Sequence, residues 1–273
     1  MLAHDLLVEL DDVEVTALSR SELDITDAAA VDSAVRGHDV VVNTAAFTRV
    51  DDAETEIDAA MAVNATGAGL LAEASQRHGA RLVQLSTDYV FDGTASIPYS
   101  EDSPISPLSV YGRSKAEGEH LVLAAQPSAL VLRTSWLYGV HGPNFVSAIL
   151  AAAARENTLR VLTDQHGQPT WTVDVARQVR AAVAAGIPGG IYHATNAGQA
   201  TRFEFAQEIL RLAGLDPERV EPAEPGQMVR PAPRPAYSVL GHDKWAATPV
   251  PPLRDWREAL ADAAAHGVLL RTG

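Results

Sequence analysis

Apolar positions in this chain alternate between two rhythms. Runs of consecutive branched residues mark strands buried on both faces, and alanine-rich stretches with helical spacing mark helices. Residues 3–10 read as part of a short amphipathic helix, and VEVTALS (13–19) as a strand. DITDAAAVDSAVRG then offers a cap at Thr26 or Asp27 with a helix behind it. HDVVVNTAAF (38–47) predicts a buried strand, Glu54–His78 a long helical stretch, and ARLVQLSTDYVFDG (80–93) another strand with a polar end. IPYSEDSPISPLS (97–109) carries three prolines and must be loop. A helix over 111–125 and the strand SALVLRTSWLYG (128–139) follow.

Repeated β–α alternation implies an α/β chain with a doubly wound parallel sheet and right-handed crossovers. After Gly139 the pattern loosens. Helices are expected at 144–155, 173–185, 202–213 and 254–266, strands at 160–164 and 189–196, and a proline-rich stretch at 217–235. The division expected is a nucleotide-binding part over 1–140 and a smaller lobe over 141–273, mainly for substrate and partly interleaved with the sheet.

Composition narrows the function. A formal charge of −14 argues against nucleic acid, which needs a basic surface, but leaves room for a small anion held by local arginines. Without cysteine there are neither disulfides nor thiolate metal sites. None of His4, His78, His166 or His193 has metal-ligand spacing with a partner, so no metal is expected. No apolar run approaches a membrane span, and the acidic start is unlike a signal peptide, so the expectation is a cytosolic protein.

In open α/β sheets ligands lie beyond the carboxyl ends of the strands. Three strands here end in NTAAFT, STDYVFDG and RTSWLYG, which places the site there. The chain has only two lysines, Lys115 and Lys244, and the first follows Tyr111 by one helical turn. A phenol with a pKa near 10 is a poor acid–base group at neutral pH. A nearby ammonium lowers that pKa, which makes the pair a tuned acid for an oxyanion. The other reading is a coincidental surface pair. Context favours chemistry, because the motif opens a helix directly after a strand end carrying Ser86, Thr87, Asp88 and Tyr89.

These residues carry a resemblance. DITD (24–27), NTAAFTRVDDAE (43–54), VNATG (63–67), LSTDYVFDG (85–93) and YGRSKAEGE (111–119) occur in order. LRTSWLYG (132–139), DQHGQPTW (164–171) and RPAPRPAYSVL (230–240) follow them. Together they resemble the extended short-chain dehydrogenase/reductases, and within those the dTDP-4-dehydrorhamnose reductase family. The resemblance implies a Rossmann-like fold and NADPH-dependent reduction of the C4 ketone of a dTDP-4-dehydro-6-deoxy sugar. The first choice is dTDP-4-dehydro-L-rhamnose. It also implies a nucleotide-sugar substrate as partner and a homodimer.

By that resemblance Tyr111 protonates the developing alkoxide, Lys115 holds the nicotinamide ribose, and Thr87 hydrogen-bonds the ketone oxygen. Thr48, Val50, Asp88, Tyr89 and Trp136 match the sugar pocket; Trp136 is equally suited to filling a core. Gln168, Pro169 and Thr170 fall where relatives approach the sugar nucleotide. Arg230 and Arg234 match the diphosphate, a solvated basic loop being the alternative. Ala45 and Ala46 match small residues under the cofactor, and Asp24 and Ile25 surround adenine. The strand VEVTALS ends in Ser19 and Arg20 instead of an acid, which favours NADPH, with NADH as the alternative.

One departure stands out. The chain has no glycine-rich turn of the kind that brings backbone amides to a pyrophosphate. Its opening residues match the end of that motif, with Ala3 at the third glycine, so about a dozen residues including the first strand are expected to be missing. A start assigned too late is the expected cause. Such a loss should leave strand edges unpaired or force their neighbours together. Two alternatives therefore stay open: a 4-ketoreductase for another nucleotide-deoxysugar, or a non-catalytic regulatory subunit resembling the beta subunit of methionine adenosyltransferase.

Overall fold

The computed structural model describes residues 1–223 and 230–269. In chain order the helices are α1 (Leu2–Glu9), α2 (Ala28–Val35), α3 (Ile57–Met61), α4 (Ala68–His78), α5 (Val110–Ala125), α6 (Phe145–Ala153), α7 (Thr172–Ala184), α8 (Arg202–Leu212) and α9 (Trp256–Ala265). The strands are β1 (Val40–Asn43), β2 (Arg81–Thr87), β3 (Leu130–Thr134), β4 (Leu137–Tyr138), β5 (Leu159–Leu162), β6 (His166–Gly167), β7 (Thr170–Trp171), β8 (Gly190–His193), β9 (Ala200–Thr201) and β10 (Val220–Ala223). Part of the expected proline-rich stretch, 224–229, lies outside the described residues.

The central sheet runs β1-β2-β3-β8, all parallel. Successive side chains on a strand point to opposite faces, and both faces here are covered. Leu82 and Val131 pack with Val31 of α2, Leu71 of α4 and Val122 of α5. Val83, Leu85, Leu130 and Leu132 face Leu2 and Leu6 of α1 and Val175 and Val179 of α7. A separate core joins Phe205 and Ile209 of α8 to Val146 and Leu150 of α6 and Trp256 and Leu260 of α9. The fold is the Rossmann-like α/β arrangement that the alternation predicts.

The segment 13–19 departs from expectation. It is exposed, not a strand, and Val13, Val15 and Leu18 stand open to solvent. A strand needs a neighbour for its backbone N–H and C=O groups. Among the described residues β1 pairs only with β2, leaving its other edge bare. The neighbours have not closed up; a tie from 13–19 is a 3.0 Å hydrogen bond between Thr16 and His38.

The helix expected over 54–78 is interrupted. A 3₁₀ turn (Asp52–Glu54) precedes α3, and a π turn (Ala62–Gly67) separates α3 from α4. The π turn carries Asn64, whose amide accepts from Phe47 N–H at 2.8 Å and donates to the Phe47 carbonyl at 3.0 Å. The same amide donates to Ser114 Oγ on α5 at 2.9 Å. Chain leaving β1 is thereby fastened to the helix opposite.

A buried charge pair fixes α5 to the sheet. Ser86 and Arg133 are register partners on β2 and β3 and face the helix. Glu119 accepts from Ser86 Oγ at 2.5 Å and from Arg133 Nε and Nη2 at 2.9 and 2.7 Å. Arg133 Nη1 also lies 3.5 Å from His193 Nε2, while His193 Nδ1 sits 2.8 Å from the Gly241 carbonyl. His193 therefore donates from Nδ1 and stays neutral; burial, then Arg133, pulls its pKa from 6.5 to about 3.

Removing one member of a buried pair strands the other charge. Glu119→Ala should therefore lose about 3–5 kcal/mol of stability in urea unfolding. His193 adds a pH dependence. Its pKa is depressed in the fold, so the unfolded chain binds the extra proton first. Stability is complete above pH 6.5 and falls as pH drops towards about 3. His193→Gln should reduce that slope by about 1.4 kcal/mol per pH unit; an unchanged slope would remove His193 as its source.

Candidate active site

The carboxyl ends of β2 and β3 and the start of α5 meet in one place, and glycines let them meet. A Cβ on Gly112 would lie 2.2 Å from the Tyr89 carbonyl, and one on Gly118 would lie 2.1 Å from the Asn64 carbonyl. Ser109 caps α5 by accepting from Gly112 N–H at 3.1 Å, and Ser114 Oγ donates to the Tyr111 carbonyl at 2.8 Å. The first turn of α5 thus lies against the 3₁₀ turn Asp88–Val90 that follows β2.

Thr87, Asp88, Tyr89 and Tyr111 come together there. The Thr87 hydroxyl donates to Asp88 Oδ1 at 3.0 Å and accepts from Tyr89 N–H at 3.2 Å. Asp88 Oδ2 accepts from Ser238 Oγ at 2.5 Å. The rings of Tyr89 and Tyr111 meet edge to face, centroids 5.6 Å apart. Lys115, one turn along α5, donates from Nζ to the Leu85 carbonyl at 2.5 Å.

The electrostatics differ from the tuning that the sequence suggests. Burial pushes the Tyr111 hydroxyl up, the Thr87 hydroxyl beside it works downward, and Asp88 and Tyr89 raise it further. Lys115 does not act on Tyr111; burial pulls Lys115 down to about 8, opposed by Glu119. The reason is geometric: the ammonium is turned to the backbone of β2. Burial also raises the Asp88 carboxyl, against hydrogen bonds from Ser238 and Thr87.

Trp136 follows β3 with φ of 46°, the left-handed region that costs a side-chain-bearing residue about 1–3 kcal/mol. Gly167 gives its ring space, since a Cβ there would lie 2.5 Å from Cε2. The other sequence candidates are dispersed around this centre. Thr48 is exposed and Val50 half-buried on the loop after β1. The next residue, Asp51, holds Arg234 through Nη2 at 2.9 Å and through Nη1. Arg230 is exposed, near enough to lower the Asp51 pKa along with Arg234, whose hydrogen bond is the main cause.

Gln168 is buried and engaged elsewhere: its amide donates to the Leu240 carbonyl at 3.0 Å and accepts from Leu240 N–H and Thr195 Oγ1 at 2.8 and 2.9 Å. Those bonds cross-link two segments of backbone, so the geometry around Gln168 is that of a clamp. Pro169 and Thr170 lie in the same buried stretch.

Of the residues expected around the cofactor, Ala45 is exposed and Ala46 half-buried, with Ala45 N–H held by Asn43 Oδ1 at 3.0 Å. Ile25 is buried where Gly67 approaches it. Asp24 accepts from Thr26 N–H and Oγ1 at 2.9 and 2.7 Å, and Arg20 is exposed nearby. The donor set fits a nicotinamide ribose, because an ammonium has three N–H donors and Leu85 takes one. Among the described residues no group of three or more His, Cys, Asp or Glu could hold a metal, and no helix is long and apolar enough to cross a membrane.

Sequence reasoning missed Glu119, Arg133 and Asn64 as braces, and Ser238 as a partner of Asp88. All four lie inside motifs quoted above, but their partners are distant in sequence. It also missed Arg202, whose guanidinium lies over the Trp136 ring and which belongs to no motif.

Gly112→Ala tests whether close approach of α5 is required. The added methyl meets backbone, so the variant should lose about 1–3 kcal/mol in urea unfolding. Stability equal to wild type would contradict the contact.

The family model described as RmlD substrate binding domain matches residues 1–268. A protein described as a probable dTDP-4,6-dihydroxy-2-methyloxan-3-one 4-ketoreductase from Streptomyces antibioticus is 51% identical, over 96% of this chain and 91% of that protein. A dTDP-4-dehydrorhamnose reductase from Streptomyces griseus is 50% identical, over 96% of this chain and 90% of its own length. The structure of dTDP-4-dehydrorhamnose reductase from Bacillus anthracis in complex with NADP superposes with a TM-score of 0.93 at 34% identity, covering 97% of this chain and 95% of that one. On sequence and fold together, the chain belongs to the RmlD substrate-binding domain family.

Proposed function

We propose that the chain reduces the C4 ketone of a dTDP-4-dehydro-6-deoxy sugar with NADPH, and that dTDP-4-dehydro-L-rhamnose, giving dTDP-L-rhamnose, is its first-choice substrate. The observation that carries this is Tyr111 beside Thr87 at the carboxyl end of β2, with Lys115 one helical turn along α5. The names of relatives at about half identity, and the NADP held by the Bacillus anthracis protein, support the choice of substrate class and cofactor.

The reduced nicotinamide supplies the hydride for such a reduction. Everything else falls to this chain. Tyr111 protonates the sugar oxygen as negative charge develops on it. Thr87 turns its hydroxyl from Asp88 to the same oxygen, stabilising charge in the transition state. Lys115 uses the donors that Leu85 leaves free on the ribose hydroxyls, and its ammonium then favours the phenolate that proton transfer leaves behind. Ala45 and Ala46 give the cofactor a floor without bulk, and Asp24, Ile25 and Arg20 surround the adenosine end. Thr48, Val50, Asp88, Tyr89 and Trp136 line the sugar side, with Arg230 and Arg234 toward the diphosphate. In this reading 1–140 holds the cofactor and part of the sugar pocket, and 141–273 contributes mainly to the substrate side.

A second reading keeps the chemistry and changes the sugar, favoured by the Streptomyces antibioticus 4-ketoreductase name and by a dTDP-4-keto-6-deoxy-D-glucose reductase from Streptomyces niveus at 44% identity. Competing the two 4-keto sugars in an NADPH-oxidation assay separates them.

Tyr111→Phe should lower turnover by about a thousandfold while NADPH affinity stays near wild type. Undiminished turnover would remove Tyr111 from the reaction, and absence of any NADPH oxidation by wild type on either sugar would defeat the reductase reading.

A further inference from the structure

Arg202 is an unusual place for a cation. It follows the Thr201 cap as the first residue of α8, at the positive end of the helix dipole, where cations are disfavoured. Its guanidinium carbon lies 3.6 Å from the Trp136 ring centroid and 5.0 Å from that of Phe145. Stacking on aromatic faces fixes the plane of the group but leaves its charge uncompensated.

No carboxylate among the described residues pairs with it. Glu204, on the same turn, is taken by the Thr201 cap through bonds of 2.7 and 3.0 Å. Asp88 is close enough to be felt, but its oxygens already receive the Thr87 and Ser238 hydroxyls. Burial lowers the Arg202 pKa to about 10; Tyr89 and Asp88 oppose the fall, and Arg230 and Arg234 add to it.

Arg202 is thus stacked on Trp136, with Arg230 and the Asp51-bound Arg234 near enough to Tyr89 to be felt there, in a chain whose net charge is −14. Mutual repulsion, desolvation and the helix dipole all act against that arrangement. The backbone strain at Trp136, whose ring holds Arg202 in place, adds to the cost. A doubly charged anion entering beside Arg202 would offset both the repulsion and the dipole.

We propose that Arg202 is a substrate-binding residue: stacked on Trp136, it joins Arg230 and Arg234 in holding the diphosphate that links nucleoside to sugar. The class of ligand rests on the proposed function; turnover does not enter. Guanidinium offers paired N–H donors that match phosphate oxygens, and the aromatic stack sets their plane in advance.

dTDP is the probe, since it carries the diphosphate without the reacting sugar. In titrations, Arg202→Met should weaken dTDP binding about tenfold or more and leave NADPH binding unchanged. Its ligand-free melting midpoint should equal or exceed that of wild type, because an uncompensated charge has gone. Arg202→Lys should fall between the two in dTDP affinity. Unchanged dTDP affinity in the Met variant, or an equal loss of dTDP and NADPH binding, would overturn the proposal, as would a lower ligand-free midpoint with dTDP affinity intact. Failure of the reductase reading looks different: wild type would then bind dTDP through Arg202 without oxidising NADPH.

Discussion

The site depends on a buried carboxylate. Glu119 is held by Arg133 and Ser86 from two adjacent strands, and it sits one helical turn beyond Lys115. Charges taken out of water are costly unless every partner is in place. The geometry of three elements is therefore not adjustable: α5 cannot slide along β2 or β3 without breaking the pair. Glycines at 112 and 118 then allow the helix backbone to come so near its neighbours that the first turn of α5 abuts the turn after β2. What reaches the strand tips, Tyr111 in particular, is positioned by an interaction two turns further along the same helix. Asn64 repeats the arrangement from the other direction, joining the loop after β1 to Ser114.

Electrostatically the protein is divided. Its surface is acidic, while the ground beside Tyr89 collects Arg202, Arg230 and Arg234. Polar groups at the strand tips are tied to each other, with Thr87 on Asp88 and Asp88 on Ser238. The tyrosine is held as a neutral phenol and the lysine is turned to backbone.

Much of this could be read from the amino acids alone. The parallel sheet follows from apolar runs such as VVVN and LVQL, which leave no polar face. The cap at Asp27 and the helix behind it are local chemistry: its carboxylate accepts from Ala29 and Ala30 N–H. STDYV and YGRSK could be placed together because a strand end and the next helix start are neighbours in any β–α unit. Failures trace to partners far away in sequence. VEVTALS has the composition of a strand, yet it lies exposed and does not pair with the bare edge of β1. Gln168 sits in a telling motif, yet its hydrogen bonds go to Leu240 and Thr195. Arg202 carries no local signal, because its meaning comes from Trp136, far back along the chain. The sign of the Tyr111 shift is set by its burial, which spacing does not reveal.

The left-handed backbone at Trp136 has a consequence for anyone seeking a sturdier enzyme. Glycine adopts that conformation freely, and asparagine does so more easily than tryptophan, so screens for heat tolerance will favour losing the indole. With it goes the platform under Arg202. Robustness and ligand recognition are therefore opposed at a single codon, and gains in one should be sought elsewhere in the molecule.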